Sequence, residues 1–402
     1  MKILQLTNKV PYPPRDGGAI ASLTLARELT KAGHQVIVLA MNTSKHFAEG
    51  DQVPSFQDSG LRVDVIPVDT RIRWQHALVN LFFSRLPYNA IRFISEDYRA
   101  RLRILLAENN FDFIILDQIY TGLYLGTIRD CSNTPVVLRA HNIEHEIWAR
   151  SAKSSVGLKR FYLTILAKRI RRYELSLINC YDALVPITKR DADHFGKFGN
   201  TKPCHVLPAG MDLQEQKQDL LPATGVSVAH LGALDWLPNQ DGIRWFIREV
   251  WPIVRNSIPE IEFHLAGRNA PERFGAQISA PGVIFHGEIE HAADFIKAHQ
   301  IFIVPLFSGS GMRIKLLDYL SAGRATVTTT IGAEGIPITP GKQAFITDQP
   351  KDFANHIIAL ARNPERCTEI GINARKFILD NFDNQVLIKQ FTDFLSTIDH
   401  RI

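Results

Sequence analysis

The chain has 402 residues, 45% hydrophobic and 22% charged, with a formal net charge of +5. That length points to two domains of about 200 residues each, and the composition is that of a globular protein, not a disordered or fibrous one. No apolar run reaches the roughly 18–20 residues needed to span a bilayer, and Cys131, Cys180, Cys204 and Cys367 lack the spacing of a metal or redox pair.

The charge is unevenly spread. Residues 1–200 hold 27 Lys and Arg against 19 Asp and Glu, and the remaining 202 hold 19 against 22. A basic half can face an anionic membrane or a nucleic acid. No zinc finger, aromatic RNA-binding strand or helix-turn-helix signature supports nucleic acid. The N-terminus passes straight into a strand without a secretory signal, so a reducing cytoplasm is expected.

In chain order, Ile3–Thr7 reads as a strand, Pro11–Gly18 as a loop and Ala19–Ala32 as a helix ended by Gly33. Gln35–Ala40 and Val63–Val68 are strands, and Ile72–Asn109 is a mixed helical stretch. Phe113–Asp117 and Val136–Arg139 are strands, the second followed by a polar turn at His141–Asn142. A long helix covers Leu158–Ile178, then come a strand at Ala183–Ile187 and a short helix at Asp191–Phe198. After the Pro/Gly-punctuated stretch Pro203–Gly210 a second series begins. Its strands are Val226–Leu231, Ile261–Ala266, Val283–Phe285, Ile301–Leu306 and Ala325–Thr329. Its helices are Gly242–Asn256, Ala292–Ala298, Met312–Ala322, Lys351–Asn363 and Pro364–Asn381, and a further amphipathic helix spans Asn384–Ile398. Strand–helix alternation predicts parallel sheets covered on both faces. The expected architecture is α/β, with two doubly wound, Rossmann-like domains at 1–205 and 206–383. Residues 384–402 form a C-terminal helix free to cross back to the first domain. Ligands of such sheets bind beyond the C-terminal strand ends, here in a cleft faced by both domains.

The richest stretch is VPLFSGSGMRIKLLDYLSAGRATVTTT, Val304–Thr330. A buried strand runs into the small residues Ser308–Gly311 and then into a helix. Unpaired N–H groups and the helix dipole there suit an anion. Arg313 and Lys315 add two positive charges, and Asp318 adds a carboxylate one turn deeper. A phosphate carrying hydroxylated groups, as in a sugar nucleotide, fits this set. The competing reading is an ordinary helix pair between Lys315 and Asp318. Gly17 and Gly18 would let a ligand approach the backbone closely, although the segment lacks the full dinucleotide fingerprint. Asp191 and Asp193 follow Thr188 at a helix start and read as dipole-favoured acids, not metal ligands. The helix Leu158–Ile178 carries Lys159, Arg160, Lys168, Arg169, Arg171 and Arg172 beside an apolar face. It suits either an anionic lipid surface or a core-packed helix with a solvated basic side.

With these residues in place, SGSGMRIKLLDYLSAGRATVTT resembles the donor motif of the family 4 glycosyltransferases of GT-B fold (group 1 glycosyltransferases). PYPPRDGGA, RAHNIEHEIW, DALVPITKRDAD and HVLPAGMD resemble other stretches of that family in the same order. HLGALDWLPNQDGIRWFIREVWP resembles a subgroup with Trp-x-Pro-Asn at the start of the donor domain. The resemblance covers nearly the full length. It implies a retaining, metal-independent transfer of a sugar from a UDP- or GDP-sugar to a hydroxyl of a glycan or polyprenyl-linked acceptor, with no cofactor. It also implies polysaccharide assembly at the inner face of a membrane, by a cytoplasmic, peripherally bound enzyme.

By the same resemblance His141, Arg313 and Lys315 are the catalytic candidates. Gly17, Gly18, Arg268, Ser310, Gly311, Met312 and Asp318 would bind the donor, and Asn142 and Glu144 would lie on the acceptor side. Glu146 is a weaker candidate. Ser310 stands where the family usually has its first acid, and Asp318 where it has glutamate. Ala233 and Asn239 replace an arginine and a lysine. These departures keep two alternatives open: a sugar-nucleotide epimerase or hydrolase on the same fold, and a non-catalytic donor-binding partner.

Overall fold

The computed structural model describes residues 1–14, 16–44, 47–48, 60–213, 226–309 and 312–398. They form two compact units, one of Met1–Gly210 with Asn384–Ile402 and one of Met211–Asp383. Among the described residues no helix is long and apolar enough to cross a membrane.

In the first unit β1 (Lys2–Thr7), β2 (Gln35–Thr43), β3 (Leu61–Val68), β4 (Phe113–Asp117), β5 (Val136–Ala140) and β6 (Ala183–Pro186) form a parallel sheet in the order β3-β2-β1-β4-β5-β6. Its strands are apolar on both faces because helices cover both. Leu4 and Leu6 enter one core with Leu102 and Ile128, and Ile3 enters the other with Leu25 and Leu29. That split follows the period of two along a strand.

The second unit repeats the plan. Its strands are β7 (Ser227–Leu231), β8 (Glu262–Ala266), β9 (Val283–Gly287), β10 (Ile301–Val304), β11 (Ala325–Thr328) and β12 (Phe345–Ile346), in the order β12-β11-β10-β7-β8-β9. Ile301 and Ile303 of β10 face one core, and Phe302 and Val304 face the other. Counted from its own first strand, each sheet has the order 3-2-1-4-5-6. Each therefore has a switch point where neighbouring loops part to opposite faces, between β1 and β4 and between β7 and β10.

Several segments differ from the sequence expectation. Ile72–Asn109 resolves into helices Trp74–Phe83, Tyr88–Ile91 and Glu96–Glu108, the last capped by the Ser95 side chain. Helix Leu237–Trp245 starts ahead of the expected Gly242 and passes through a π-turn at Phe246–Val250 into Trp251–Ser257. Pro252 lacks the N–H that would continue the α-helical ladder, which accounts for the wider turn. Two helices, Leu125–Cys131 and Glu144–Lys153, are short pieces that periodicity did not separate. The C-terminal helix Asn384–Ser396 places Leu387, Ile388, Phe391 and Leu395 in the first unit's core, and His205 stacks against Phe391 and Phe394.

Candidate active site

The second unit's switch point gathers residues from three loops. Helix Ile314–Ser321 begins later than expected, so Met312 and Arg313 precede it and Arg313 is its extended N-cap residue. Arg313 is only 5% exposed, and its guanidinium lies over the Trp236 ring at 5.6 Å. This cation–π contact aligns a charge without neutralising it. Gly309 closes the arrangement. Its φ is +112°, and a Cβ there would stand 2.9 Å from the Trp236 ring and 3.1 Å from Arg313 Nη2. No larger residue fits that backbone or that space.

Lys315 lies one turn into the cluster. Its ammonium donates to Asn239 Oδ1 at 2.6 Å, not to Asp318, so the simple helix pair is not formed. Burial, and then the Arg313 charge, bring its pKa down to about 7. His230 is fully buried, and burial with the nearby Lys315 charge holds its pKa near 3, so its imidazole is neutral. Its Nδ1 donates to the Ile303 carbonyl at 2.9 Å, which leaves a lone pair on Nε2, an atom with no hydrogen-bond partner. A Cβ on Gly232 would come within 2.7 Å of Lys315 Nζ and 3.2 Å of both His230 Nε2 and Asn239 Nδ2. Gly232 therefore opens the space into which these polar groups converge. Two cations, an acceptor lone pair and a bare glycine suit a hydroxylated diphosphate.

The remaining donor-side candidates are less engaged. Asp318 is half-buried, and burial raises its carboxyl to about 6. Met312 is half-buried against the core. The Arg268 side chain is exposed, while its carbonyl accepts from Leu234 N at 2.9 Å and ties the loop after β8 to the one after β7. Ser310 and Gly311 lie outside the described residues.

In the first unit Gly17 and Gly18 are the first turn of helix Gly17–Lys31, not part of a loop. Asp16 caps that helix, accepting from Ala19 N at 2.9 Å and from Lys9 Nζ at 2.6 Å. A carboxylate already occupies this dipole end, so a phosphate would meet repulsion there and a sugar hydroxyl would not. Open space surrounds the Gly17 Cβ position, whereas a Cβ on Gly18 would meet Lys9 Nζ at 2.9 Å.

His141 follows β5 and is buried, and its Nε2 bonds Asp117 Oδ1 at the end of β4. Burial alone would raise the Asp117 carboxyl, but His141 and Arg139 beside it hold it well below the usual range. Gln5 Nε2 donates to Asp117 Oδ2 at 2.9 Å, and Arg139 Nη1 lies 3.7 Å from Oδ1. An ionised carboxylate only accepts, so Nε2 carries a proton toward Asp117.

Asn142 is half-buried in the next turn. Glu144 is committed elsewhere. Its carboxylate accepts from Tyr120 Oη at 2.7 Å and Trp148 Nε1 at 3.0 Å, and burial raises its pKa. Glu174 accepts from the backbone N–H groups of Glu144 and His145, serving as the missing cap of helix Glu144–Lys153. Glu146 pairs with Arg150 and Arg190. Thr188 caps helix Lys189–Lys197 through Asp191 N, and Asp193 pairs with Lys189.

Sequence reasoning missed Asp117, Gln5, His230 and the role of Asn239. An acid ending an otherwise apolar strand, FIILD, was the available signal for Asp117.

Two family models span the chain. The one described as Glycosyltransferase Family 4 matches residues 15–215, and Glycosyl transferases group 1 matches residues 225–363. An uncharacterised 44.6 kDa protein in the cps region of Klebsiella pneumoniae is 25% identical over 397 residues, covering 96% of this chain and 97% of its own. Among solved structures, Anabaena HepE in complex with UDP is similar at a TM-score of 0.69 and 15% identity, with 99% of this chain and 100% of that one covered. Sucrose-phosphate synthase from Thermosynechococcus elongatus gives a TM-score of 0.69 at 16% identity, with 98% of each chain covered.

Proposed function

Since the chain belongs to glycosyltransferase family 4 and has the GT-B fold, we propose that it moves a sugar from a UDP- or GDP-sugar to a hydroxyl of a glycan or lipid-linked acceptor, with retention of configuration and without a metal ion. The observation that carries this reading is the two buried cations of one loop and helix start, Lys315 at the Gly232 opening and Arg313 over Trp236 beside Gly309. As the bond from the anomeric carbon to the diphosphate breaks, negative charge collects on the leaving phosphate. Two fixed cations stabilise it there, the work a magnesium ion does in other transferases. The UDP held by the structurally similar HepE supports a nucleoside diphosphate as the ligand.

Asp117 orients His141 through Nε2, which leaves Nδ1 as the ring nitrogen for a hydroxyl of the transferred sugar or its acceptor. For the acceptor, the first unit offers a cavity of about 760 Å³ lined by Asp69, Arg71, Arg73, His76, Phe83 and Arg92 among others, in which Asp69 pairs with Arg71 and Arg73 and the lining keeps a net basic charge. Basic and apolar walls together suit a lipid phosphate at the inner face of a membrane. Assembly of a surface polysaccharide is the proposed setting, supported by the cps-region relative.

Proton NMR of the product tests the reaction type. The anomeric configuration of the donor is expected to persist in the transferred sugar. Inversion, or conversion of the nucleotide sugar into an isomer without acceptor, contradicts the proposal.

A further inference from the structure

Three histidines far apart in sequence meet at one edge of the second unit. Sheet geometry brings the first two together. His264 on β8 pairs in register with Ile284 of the parallel edge strand β9, and His286 is the extra residue of a bulge in β9 two positions on. His299 follows helix Ala292–Ala298, whose Phe295 packs against the rings of both His286 and His299. His264 Nδ1 and His286 Nε2 are 3.0 Å apart, and the His264 and His299 ring centroids are 4.2 Å apart. One ring nitrogen from each of the three lies within 4.8 Å of the others.

We propose that these imidazoles form a binding site for a divalent transition-metal ion, with zinc as the best match. A tetrahedral ion holding nitrogens at about 2.0–2.1 Å sets them roughly 3.3 Å apart. The 3.0 Å between His264 and His286 is already near that value, and the full set, within 4.8 Å, has to draw together slightly on binding. Neutral imidazole suits zinc, nickel or copper, and the absence of oxygen ligands among the three disfavours magnesium or calcium.

The outward nitrogens are also held as ligating histidines require. Glu262 Oε2 lies 3.2 Å from His264 Nε2, and Ser227 Oγ lies 2.9 Å from His299 Nδ1. Such outer partners fix which nitrogen faces the metal. With three protein ligands, water completes the fourth position. The ion would clamp the edge strand β9 and the end of helix Ala292–Ala298 onto β8. His264 lies two residues before the end of β8 and β9 is the edge strand, so the clamp belongs to the sheet edge.

The full chain, stripped with chelator and titrated with Zn²⁺ against a chromophoric competitor, is expected to bind one equivalent. His286 is exposed, so His286→Ala should fold normally and bind Zn²⁺ at least about tenfold more weakly. His356→Ala, outside the cluster, should match the wild type. Co²⁺ substituted for Zn²⁺ should give the visible absorption of a tetrahedral nitrogen-ligated ion in the wild type and not in His286→Ala. Zinc affinity unchanged in His286→Ala, or no stoichiometric binding by the wild type, overturns the proposal and leaves a plain imidazole–imidazole hydrogen bond.

Discussion

Lys315 sits among groups that oppose its charge. Burial strips water from the ammonium and Arg313 repels it, so the pKa falls to about 7, while Asn239 Oδ1 accepts one of its protons. A bound diphosphate would restore the charge. Above about pH 7 its binding should therefore take up a proton, and nucleotide affinity should fall with rising pH by up to about tenfold per unit. Calorimetry at pH 8 in two buffers of different ionisation enthalpy should show this uptake in the wild type and not in Lys315→Met. Equal heats in both buffers for the wild type would contradict it. In the empty protein the unfolded chain holds the extra proton between about pH 7 and 10.5, so this group's contribution to stability rises with pH across that window. The two cations were legible as a glycine turn followed by R-x-K. Their partners were not, because Asn239 and His230 arrive from a different strand and helix. The Asp117–His141 pair was hidden for the same reason, since β4 and β5 meet only in the sheet.

Helices Trp74–Phe83 and Gly157–Ser176 show what hydropathy leaves undecided. In the longer helix Leu163, Leu166, Ile170 and Tyr173 are buried, but Leu158 and Phe161 near its start are exposed beside Lys159 and Arg160. Arg169 donates to the Asn80 and Leu81 carbonyls, joining this helix to the end of Trp74–Phe83. There Phe82 is 76% and Phe83 86% exposed. Arg171, in contrast, lies over the Phe198 ring at 5.1 Å. Exposed aromatic and basic side chains on joined helices are the chemistry of an interfacial membrane contact. Sedimentation with anionic liposomes at low salt should be lost in a Phe82→Ser, Phe83→Ser, Lys159→Glu, Arg160→Glu variant and kept in Arg171→Glu. Failure of the wild type to sediment would remove the membrane contact. From sequence, an apolar face reads the same whether core or lipid covers it.

At the scale of the molecule, strand–helix alternation sufficed to read two parallel sheets, because buried parallel strands are continuous apolar runs and the helices between them are amphipathic. Strand order was not readable, since it depends on which crossovers reverse. The fate of the last helix was equally open, and the structure ties it into the first unit through Phe391, which is fully buried. Phe391→Ala should cost that unit about 3–5 kcal/mol, read as a lower denaturant midpoint for its transition. A loss under about 1 kcal/mol would mean that the helix is not integral to that core. The two units supply different chemistry, a histidine held by a carboxylate in one and a paired cation site in the other. The account as a whole depends on the cations acting on the departing diphosphate. Turnover of the nucleotide sugar by folded Arg313→Ala and Lys315→Ala variants tests this most directly. Each is predicted to fall by about 100-fold or more, and near-wild-type turnover in either would contradict the role assigned to that residue.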